Sequence, residues 1–269
     1  LADAYALSQV WSIQTLPRDT AFAWAKAAAL RAIALDSTLA EPHASLNQIL
    51  RYGYWDWTGS EREVRRAIAL DPNYATAHQW LAEHLLDMDR LNEAIAEARA
   101  AVQLDPLAQM PQNILGAALW YAGRIDEADT VFRAAIARDS SAVVVARGLF
   151  MMYVTTGRTQ DASALLAAQH DTSSLNHALV RARSDPAART AALALLGRLR
   201  AQRLPGKPGI KVAQWYAVLG ERETALAMLE QAAAEQNPAL EMIKVEPVWD
   251  SVRHDPRFAA VVRQIGLSP

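Results

Sequence analysis

The stretch LPGKPG, residues 204–209, is the part of the sequence that most resembles a phosphate-binding loop. Pro208 follows Gly206-Lys207 where such a loop carries Ser or Thr, and no glycine lies five residues before Gly206. The spacing G-x-x-x-x-G-K-[ST], which lets backbone N–H groups surround phosphates, is therefore absent. The G-x-S-x-G turn of serine hydrolases is absent as well. The motifs thus predict neither phosphoryl transfer nor acyl transfer.

Histidines and acidic residues could bind a metal or exchange protons, but their spacing does not favour either role. The six histidines are His43, His78, His84, His170, His177 and His254. Two ligands on one helix face need i, i+4 spacing, whereas His78 and His84 are six residues apart. Neighbouring acids stand at turns and helix starts, where the helix dipole favours them: Asp87 with Asp89, and Glu61 with Glu63. We predict that the chain is not an enzyme and has no catalytic residue, metal site or cofactor.

The amino-acid composition and net charge exclude several further classes of function. The 269 residues are 52% hydrophobic and 21% charged, with a net charge of −2 and no cysteine. The chain can bury a core, but it lacks the basic excess that binds a phosphate backbone, so no direct nucleic-acid binding is expected. Because the chain has no cysteine, disulfide bonds and thiolate chemistry are excluded. No apolar run reaches the roughly 18 residues of a membrane span, and no signal-peptide pattern opens the sequence. We expect a cytoplasmic protein.

The sequence repeats at an interval of 34 residues between Asp71 and Asp139. Asp71-Pro72 is followed at that interval by Asp105-Pro106 and Asp139-Ser140. The other recurring pairs are Leu81 and Leu115, Leu85 and Leu119, Ala94 and Ala128, and Ala101 and Ala135. A fixed period of this size indicates stacked helix–turn–helix units.

Hydrophobic periodicity predicts a succession of helices joined by short turns. In the regular centre the predicted helices are 75–87, 92–104, 109–121 and 126–138. Before them, Thr15–Thr20 is predicted as a loop in which Pro17 ends a first helix, and 21–36 as an alanine-rich helix. After them come a fourth copy at 143–169 and looser helices at 174–183, 186–202, 210–219 and 221–236. Short helices at 247–254 and 256–265 are predicted to cover the last apolar face of the array.

An aromatic cluster lies in the segment RYGYWDWTGS, residues 51–60, which is predicted to be a helix–helix turn. It contains Tyr52, Tyr54, Trp55 and Trp57. Asp36 and Asp71 are 35 residues apart, so one extra residue is expected in this segment. The aromatic side chains either seal the interface to the neighbouring repeat or form an exposed docking patch.

These motifs resemble the tetratricopeptide repeat family. The spacing, the helix–turn–helix periodicity and the recurring L-x-x-x-[LY], A-x-x-x-[FAL] and Pro positions occur together over about 1–169. The chain begins in the middle of a repeat and without Met, and we interpret it as the C-terminal part of a longer protein. The resemblance implies an all-α, right-handed superhelix of stacked helical hairpins, with roughly twelve to fourteen helices. The implied repeats are about 1–38, 39–74, 75–108, 109–142 and 143–170, and residues 171–269 continue the same solenoid as degenerate helices and a cap.

A narrower resemblance covers nearly the whole chain. LADAYAL, LAEPHASL, YWDW, AIALDPNYATAHQW and KVEPVWDSVRHDPRF resemble the tetratricopeptide region downstream of bacterial regulatory modules. Those modules include winged-helix, protein kinase and nucleotide cyclase domains. The resemblance implies a regulatory or protein-interaction segment.

In the family, the first helix of each repeat lines a concave groove. The implied inward positions are Thr76, Gln79, Glu83, Leu86 and Asp87, then Met110, Asn113, Ala117, Trp120 and Tyr121, then Val144, Arg147, Met151, Val154 and Thr155. The candidate binding residues among them are Gln79, Glu83, Asn113, Trp120, Tyr121, Arg147 and Met151. Methionine and aromatic side chains suit an adaptable peptide surface, and Asn113 and Arg147 could hold a carboxylate. Alternatively, Trp120, Met151 and Val154 pack on the capping helices.

Two kinds of partner are compatible with such a groove. The first hypothesis is a non-catalytic interaction module that binds a peptide, a partner domain or a domain preceding it in its own chain. The second is a regulatory domain that senses a small molecule in an apolar pocket of the groove. Self-association through Tyr54, Trp55 and Trp57 is a further hypothesis. The family's carboxylate clamp is not expected, because Gln79 and Glu83 depart from its basic pattern.

Overall fold

The structure, a computed structural model, describes residues 17–201 and 209–268. The predicted half-repeat at the start, including Leu1 and Tyr5, and the segment 202–208 of the glycine–proline stretch lie outside the described residues. Within the described ranges the chain forms fourteen α-helices and no β-strand, which confirms the predicted all-α class.

The helices follow one another with short connections. The first seven are α1 (Arg18–Leu35), α2 (Ala40–Ile49), α3 (Trp57–Leu70), α4 (Ala75–Asp87), α5 (Leu91–Leu104), α6 (Gln109–Tyr121) and α7 (Ile125–Arg138). The next seven are α8 (Val143–Thr156), α9 (Thr159–Ala168), α10 (Ser174–Arg181), α11 (Pro186–Ala201), α12 (Gly209–Val218), α13 (Arg222–Ala234) and α14 (Pro256–Gln264). The predicted central helices agree with α4 to α7 to within one residue.

Successive helices pack as antiparallel hairpins, and the first helix of each hairpin is the more deeply buried. α4 contacts α2, α3, α5 and α6, and it buries every residue from Leu81 to Asp87. α5 buries only the narrow strip Ala94, Ile95, Ala98 and Ala101. Because alanine side chains are small, the helices of one hairpin can approach closely. A first helix such as α4 therefore lies between the helices of neighbouring hairpins, and this packing produces the stacked array. The boundaries of the repeats remain predictions.

The loop predicted up to Thr20 is wrong over its described half. α1 begins at Arg18, directly after Pro17, whose φ is −56°. Proline is tolerated at a helix start, because its fixed φ suits the helix and its missing N–H is not needed there. Asp19 in the first turn also favours a helix start at this point.

The segment 51–60 is not a simple helix–helix turn, which corrects the prediction. α2 continues into a π-helical segment, Leu50–Tyr54, and only Trp55 and Asp56 separate it from α3. Trp55 has a left-handed φ of 52°, and the left-handed residues Asp89, Gly123 and Gly157 follow it at intervals of 34. The extra residue of this repeat therefore lies before Trp55, and the i→i+5 bonding of the π-helical segment accommodates it.

After α13 the chain returns to the start of the array. Arg18 Nη1 donates to Gln236 Oε1 at 2.9 Å, and Trp57 Nε1 donates to the carbonyl of Ile265 at 2.8 Å. The segment between these contacts contains two 3₁₀ turns, Pro238–Leu240 and Pro247–Trp249. Residues of this segment, which we call the tail crossing (237–253), share one core cluster with the central repeats. None of the described helices combines the length and apolar composition of a membrane span.

Candidate functional site

The predicted groove residues differ widely in accessibility. Glu83 and Trp120 are buried, whereas Gln79, Asn113, Tyr121 and Met151 are partly buried. Arg147 on α8 is exposed. The concave face is therefore not a uniform open groove along the first helices.

A buried charge cluster holds the tail crossing against the first repeats. Arg51 Nη1 donates to Glu83 Oε2 at 2.8 Å, and Arg51 Nε donates to Asp87 Oδ2 at 2.5 Å. Arg51 Nη2 lies 3.0 Å from Glu241 Oε2 in the tail crossing. The second oxygen of Asp87 accepts from the backbone N–H of Met242 at 2.7 Å. One guanidinium thus joins three carboxylates from two parts of the chain, α4 and the tail crossing.

Protonation in this cluster follows from its burial. Burial alone would lower the pKa of Arg51, but the carboxylates of Asp87, Glu241 and Glu83 outweigh it and raise the pKa well above the ordinary value. Burial raises the pKa of Glu83, although the charge of Arg51 opposes the change. Both pKa values are raised because the cluster holds three carboxylates with a single guanidinium, which favours the binding of protons.

A second polar cluster surrounds Glu246 of the tail crossing. Its carboxylate accepts from Gln214 Nε2 at 2.9 Å and Trp249 Nε1 at 3.0 Å, and from the hydroxyl of Tyr121 at 3.4 Å. Burial raises the pKa of Glu246 to about 7. Burial, followed by the charge of Glu246, also raises the pKa of Tyr121. Tyr121 therefore contacts the tail of its own chain.

These contacts divide the concave face into two halves. The closed half consists of Arg51, Asp87 and Tyr121, which contact the tail crossing directly, and of Glu83, which is joined to it through Arg51. The open half consists of Gln79, Asn113 and Arg147, with Lys211 on α12. The sequence predicted Glu83, Asp87 and Tyr121 on the inner face but did not reveal that Asp87 and Tyr121 contact residues more than a hundred positions further along the chain.

The open half carries two neighbouring cations. Arg147 and Lys211 are exposed, and neither forms an ion pair with a carboxylate in the described part of the chain. Burial lowers the pKa of Lys211 and the charge of Arg147 lowers it further, while the charges of Glu246 and Glu241 in the tail crossing oppose the change. Mutual repulsion of this kind indicates a site where an anionic group would be favourable.

Three other groove residues serve packing. Trp120 and Val154 belong to the main core cluster, and Met151 packs against it. The packing alternative therefore describes them better than the binding alternative. Asn113 has a buried side-chain oxygen without a hydrogen-bond partner among the described residues, next to Gly148.

One constellation that the sequence did not reveal contains the residue types of a nucleophile triad. Ser60 Oγ lies 3.3 Å from His84 Nδ1, and His84 Nε2 lies 3.6 Å from Glu61 Oε2. Neither Ser60 nor His84 has any exposed surface, and Ser60 also accepts from Asn47 Nδ2 at 2.7 Å. Burial and then the charge of Arg51 lower the pKa of His84 to about 4. A substrate cannot reach these atoms, so they serve as a polar link within the core.

The other histidines on the first helices repeat one structural contact. His43 Nδ1 lies 2.8 Å from Glu63, and His78 Nδ1 lies 2.7 Å from Glu97 on the second helix of the same hairpin. Over the described ranges, no group of three or more His, Asp or Glu side chains could hold a metal ion.

The aromatic segment is mostly packed, and one of its side chains is exposed. Tyr52 is buried in the small core between α1 and α2, whereas Tyr54 is 46% exposed. Trp55 and Trp57 pack against the main core, and Trp55 also separates two clefts of about 310 and 470 Å³.

Comparison with known proteins agrees with this architecture. A family model described as a bacterial transcriptional activator domain matches residues 54–142, from the aromatic segment to the end of α7 and its following turn. A tetratricopeptide repeat protein from Parabacteroides merdae aligns with a TM-score of 0.60 over 98% of this chain and 97% of its own, at 9% identity. A structure of Pseudomonas aeruginosa pilF aligns with a TM-score of 0.53 over 87% of this chain and 91% of its own, at 18% identity. No curated protein matches the chain.

At these identities the likeness to the solved structures is one of fold. The chain has the tetratricopeptide repeat fold, which confirms the predicted solenoid of stacked hairpins. Its central repeats are similar to the transcriptional activator domain of bacterial regulators.

Proposed function

We propose that the chain is a non-catalytic interaction module of a bacterial regulatory protein, and that it binds an acidic peptide or partner domain on the open half of its concave face. The observation that carries this proposal is the pair of exposed cations, Arg147 on α8 and Lys211 on α12. Neither forms a direct ion pair with a carboxylate of the described chain, and the charges of Glu246 and Glu241 offset the repulsion at Lys211 only in part, so a carboxylate from another molecule would relieve it.

The position of the pair on the array supports the same function. Arg147 occupies an inward position of its repeat, and the partly buried side chains of Asn113 and Gln79 occupy the equivalent positions of the two preceding repeats. Amide side chains can bond an extended peptide backbone through both donors and acceptors. The match of residues 54–142 to a transcriptional activator domain favours a role in regulation of transcription.

The alternative of a small effector in an apolar pocket of the groove has weaker support. Its apolar side chains, Trp120 and Val154, are already packed in the core. The closed half is also filled by the tail crossing, which leaves the charged residues as the accessible part of the face.

The proposal is tested with the whole chain and fluorescent twelve-residue peptides of acidic, neutral and basic composition. We expect the acidic peptides to bind, and Arg147→Glu and Lys211→Glu each to weaken binding by at least about tenfold, because each removes a charged hydrogen-bond donor. Arg198→Glu is the matched control, since Arg198 is exposed on α11. Fluorescence anisotropy measures the affinity. Equal affinity of the folded Arg147→Glu variant, or absence of binding by every acidic peptide, would contradict the proposal.

A further inference from the structure

A second candidate site lies outside the concave face, where α1, the π-helical segment and the end of α13 meet. It is a cleft of about 310 Å³ lined by Arg18, Phe22, Tyr54, Trp55 and Gln236, together with Asp19 and Gly53. Three aromatic side chains form its apolar walls. Small-molecule sites have this character, with mostly apolar walls and a few polar groups that fix the orientation of the ligand.

Backbone strain is concentrated at this cleft. Trp55 has a φ of 52° and Gln236 a φ of 50°, although bulky side chains avoid the left-handed region. The following repeats place Asp89, Gly123 and Gly157 at the position of Trp55, and these residue types adopt a left-handed φ more easily. A smaller residue would therefore satisfy the turn, and a strained residue that persists indicates a functional constraint.

The polar wall of the cleft is a positioned guanidinium. Arg18 Nη2 donates to the carbonyls of Tyr52 and Gly53 at 3.1 and 3.0 Å, and Nη1 donates to Gln236. Arg18 Nε has no hydrogen-bond partner in the part of the chain that the structure describes. The guanidinium also lies 5.1 Å from the centre of the Phe22 ring. An oxygen acceptor entering the cleft would find a fixed positive group beside aromatic faces.

We propose that this cleft binds a planar aromatic molecule that carries a carboxylate, with its ring against Trp55 and its oxygens directed to Arg18. Offset stacking on the indole and a charge-assisted bond to the guanidinium provide the recognition. Asp19, which also lines the cleft, already pairs its Oδ1 with Arg18 Nη1 at 3.2 Å, but 92% of its side chain is exposed. A surface pair of this kind contributes little, so a ligand carboxylate can compete with it for Arg18. This inference is independent of the acidic partner proposed for the concave face.

The first test compares two probes of equal shape and opposite charge on the whole chain. The probes are 2-naphthoate and 2-naphthylmethylamine, and isothermal titration calorimetry measures their binding. We expect the acid to bind at least about tenfold more tightly than the amine, because the amine repels Arg18. Absence of naphthoate binding, or equal affinity for both probes, would overturn the proposal.

The second test separates binding by Trp55 from packing by Trp55. Trp55→Gly should weaken naphthoate binding at least about tenfold while the melting temperature changes little, since glycine adopts this φ without strain and this gain offsets the partial packing of Trp55 against the core that is lost. Trp55→Asn should behave in the same way. Leu107→Ala, at a position 76% exposed and outside the cleft, should change neither quantity. Unchanged binding in the tryptophan variants would overturn the proposal, and so would a large loss of melting temperature in both, because it would assign Trp55 to the core.

Discussion

In the closed half of the concave face, the guanidinium of Arg51 is fully buried among three carboxylates, one of which belongs to the tail crossing. In the open half, the guanidinium of Arg147 is exposed and faces another cation. Arg51 lies in the π-helical segment that continues α2, and Arg147 lies on α8, the first helix of a later hairpin. The difference shows that equivalent surfaces of one array can be used for closure of the chain on itself or left available to a partner.

The two halves also differ in what their charges contribute to stability. Buried ion pairs lose their solvation, so each partner depends on the others, and removal of one leaves uncompensated charge. An exposed charge keeps its water and contributes little to folding. Substitutions in the closed half should therefore affect stability, whereas those in the open half should affect binding.

The largest effect is expected for Arg51→Ala. This change leaves Glu83, Asp87 and Glu241 without their common counter-charge, and it should lower the free energy of unfolding by about 3 to 5 kcal/mol. Urea denaturation measures the change. Arg65→Ala, which removes an exposed pair with Glu61, should cost less than about 1 kcal/mol. Similar losses in both variants would contradict the distinction between buried and exposed charges.

A smaller, pH-dependent effect is expected at Glu246. Its folded pKa of about 7 lies above the ordinary value of 4.5, so between these values the folded chain holds a proton that the unfolded chain releases. The free energy of unfolding should therefore decrease as pH rises through this window, by about 2 to 3 kcal/mol from this group. Glu246→Gln, which does not titrate, should flatten the curve.

Urea midpoints at pH 5, 6, 7 and 8 measure this dependence for both proteins. Glu83, whose pKa is also raised, contributes equally to both, so the difference between the curves isolates Glu246. Parallel curves for the wild type and the variant would show that the Glu246 carboxyl is already ionised at pH 5.

The smallest effect is expected at the contact between the end of the chain and α3. Trp57→Phe removes the N–H that donates to the carbonyl of Ile265 at 2.8 Å, and it should cost about 1 kcal/mol. Tyr54→Phe, which alters an exposed side chain, is the control and should be close to neutral. A thermal melt of each variant tests the comparison, and a neutral Trp57→Phe would mean that this end contact does not stabilise the fold.

Local patterns made much of the fold predictable. α4 to α7 follow the hydrophobic period closely, because each helix is specified by residues three and four apart along its own sequence. Pro17 was misread because proline is compatible with both the end of one helix and the start of the next. The repeat spacing predicted one extra residue within 51–60, but the π-helical bonding that accommodates it has no local signature in the sequence.

The candidate sites were less predictable than the helices. Repeat position alone placed Glu83, Tyr121 and Arg147 on the inner face. It did not indicate that Tyr121 would contact Glu246 in the tail crossing or that Glu83 would pair with the buried Arg51. The cleft at Trp55 also depends on a contact between Arg18 and Gln236, which are 218 residues apart.

By itself the sequence determined the repeat, the helices and the lack of recognisable catalytic motifs, because these depend on residue types and on spacing within one or two turns. The sequence also located the aromatic cluster in residues 51–60, but it did not decide between the two roles of that cluster. Only the tertiary structure decided that the chain would fold back across its own concave face. The physical reason is that Arg51 and Glu241, or Asp87 and Met242, contribute no periodic signal until folding brings them within hydrogen-bond distance.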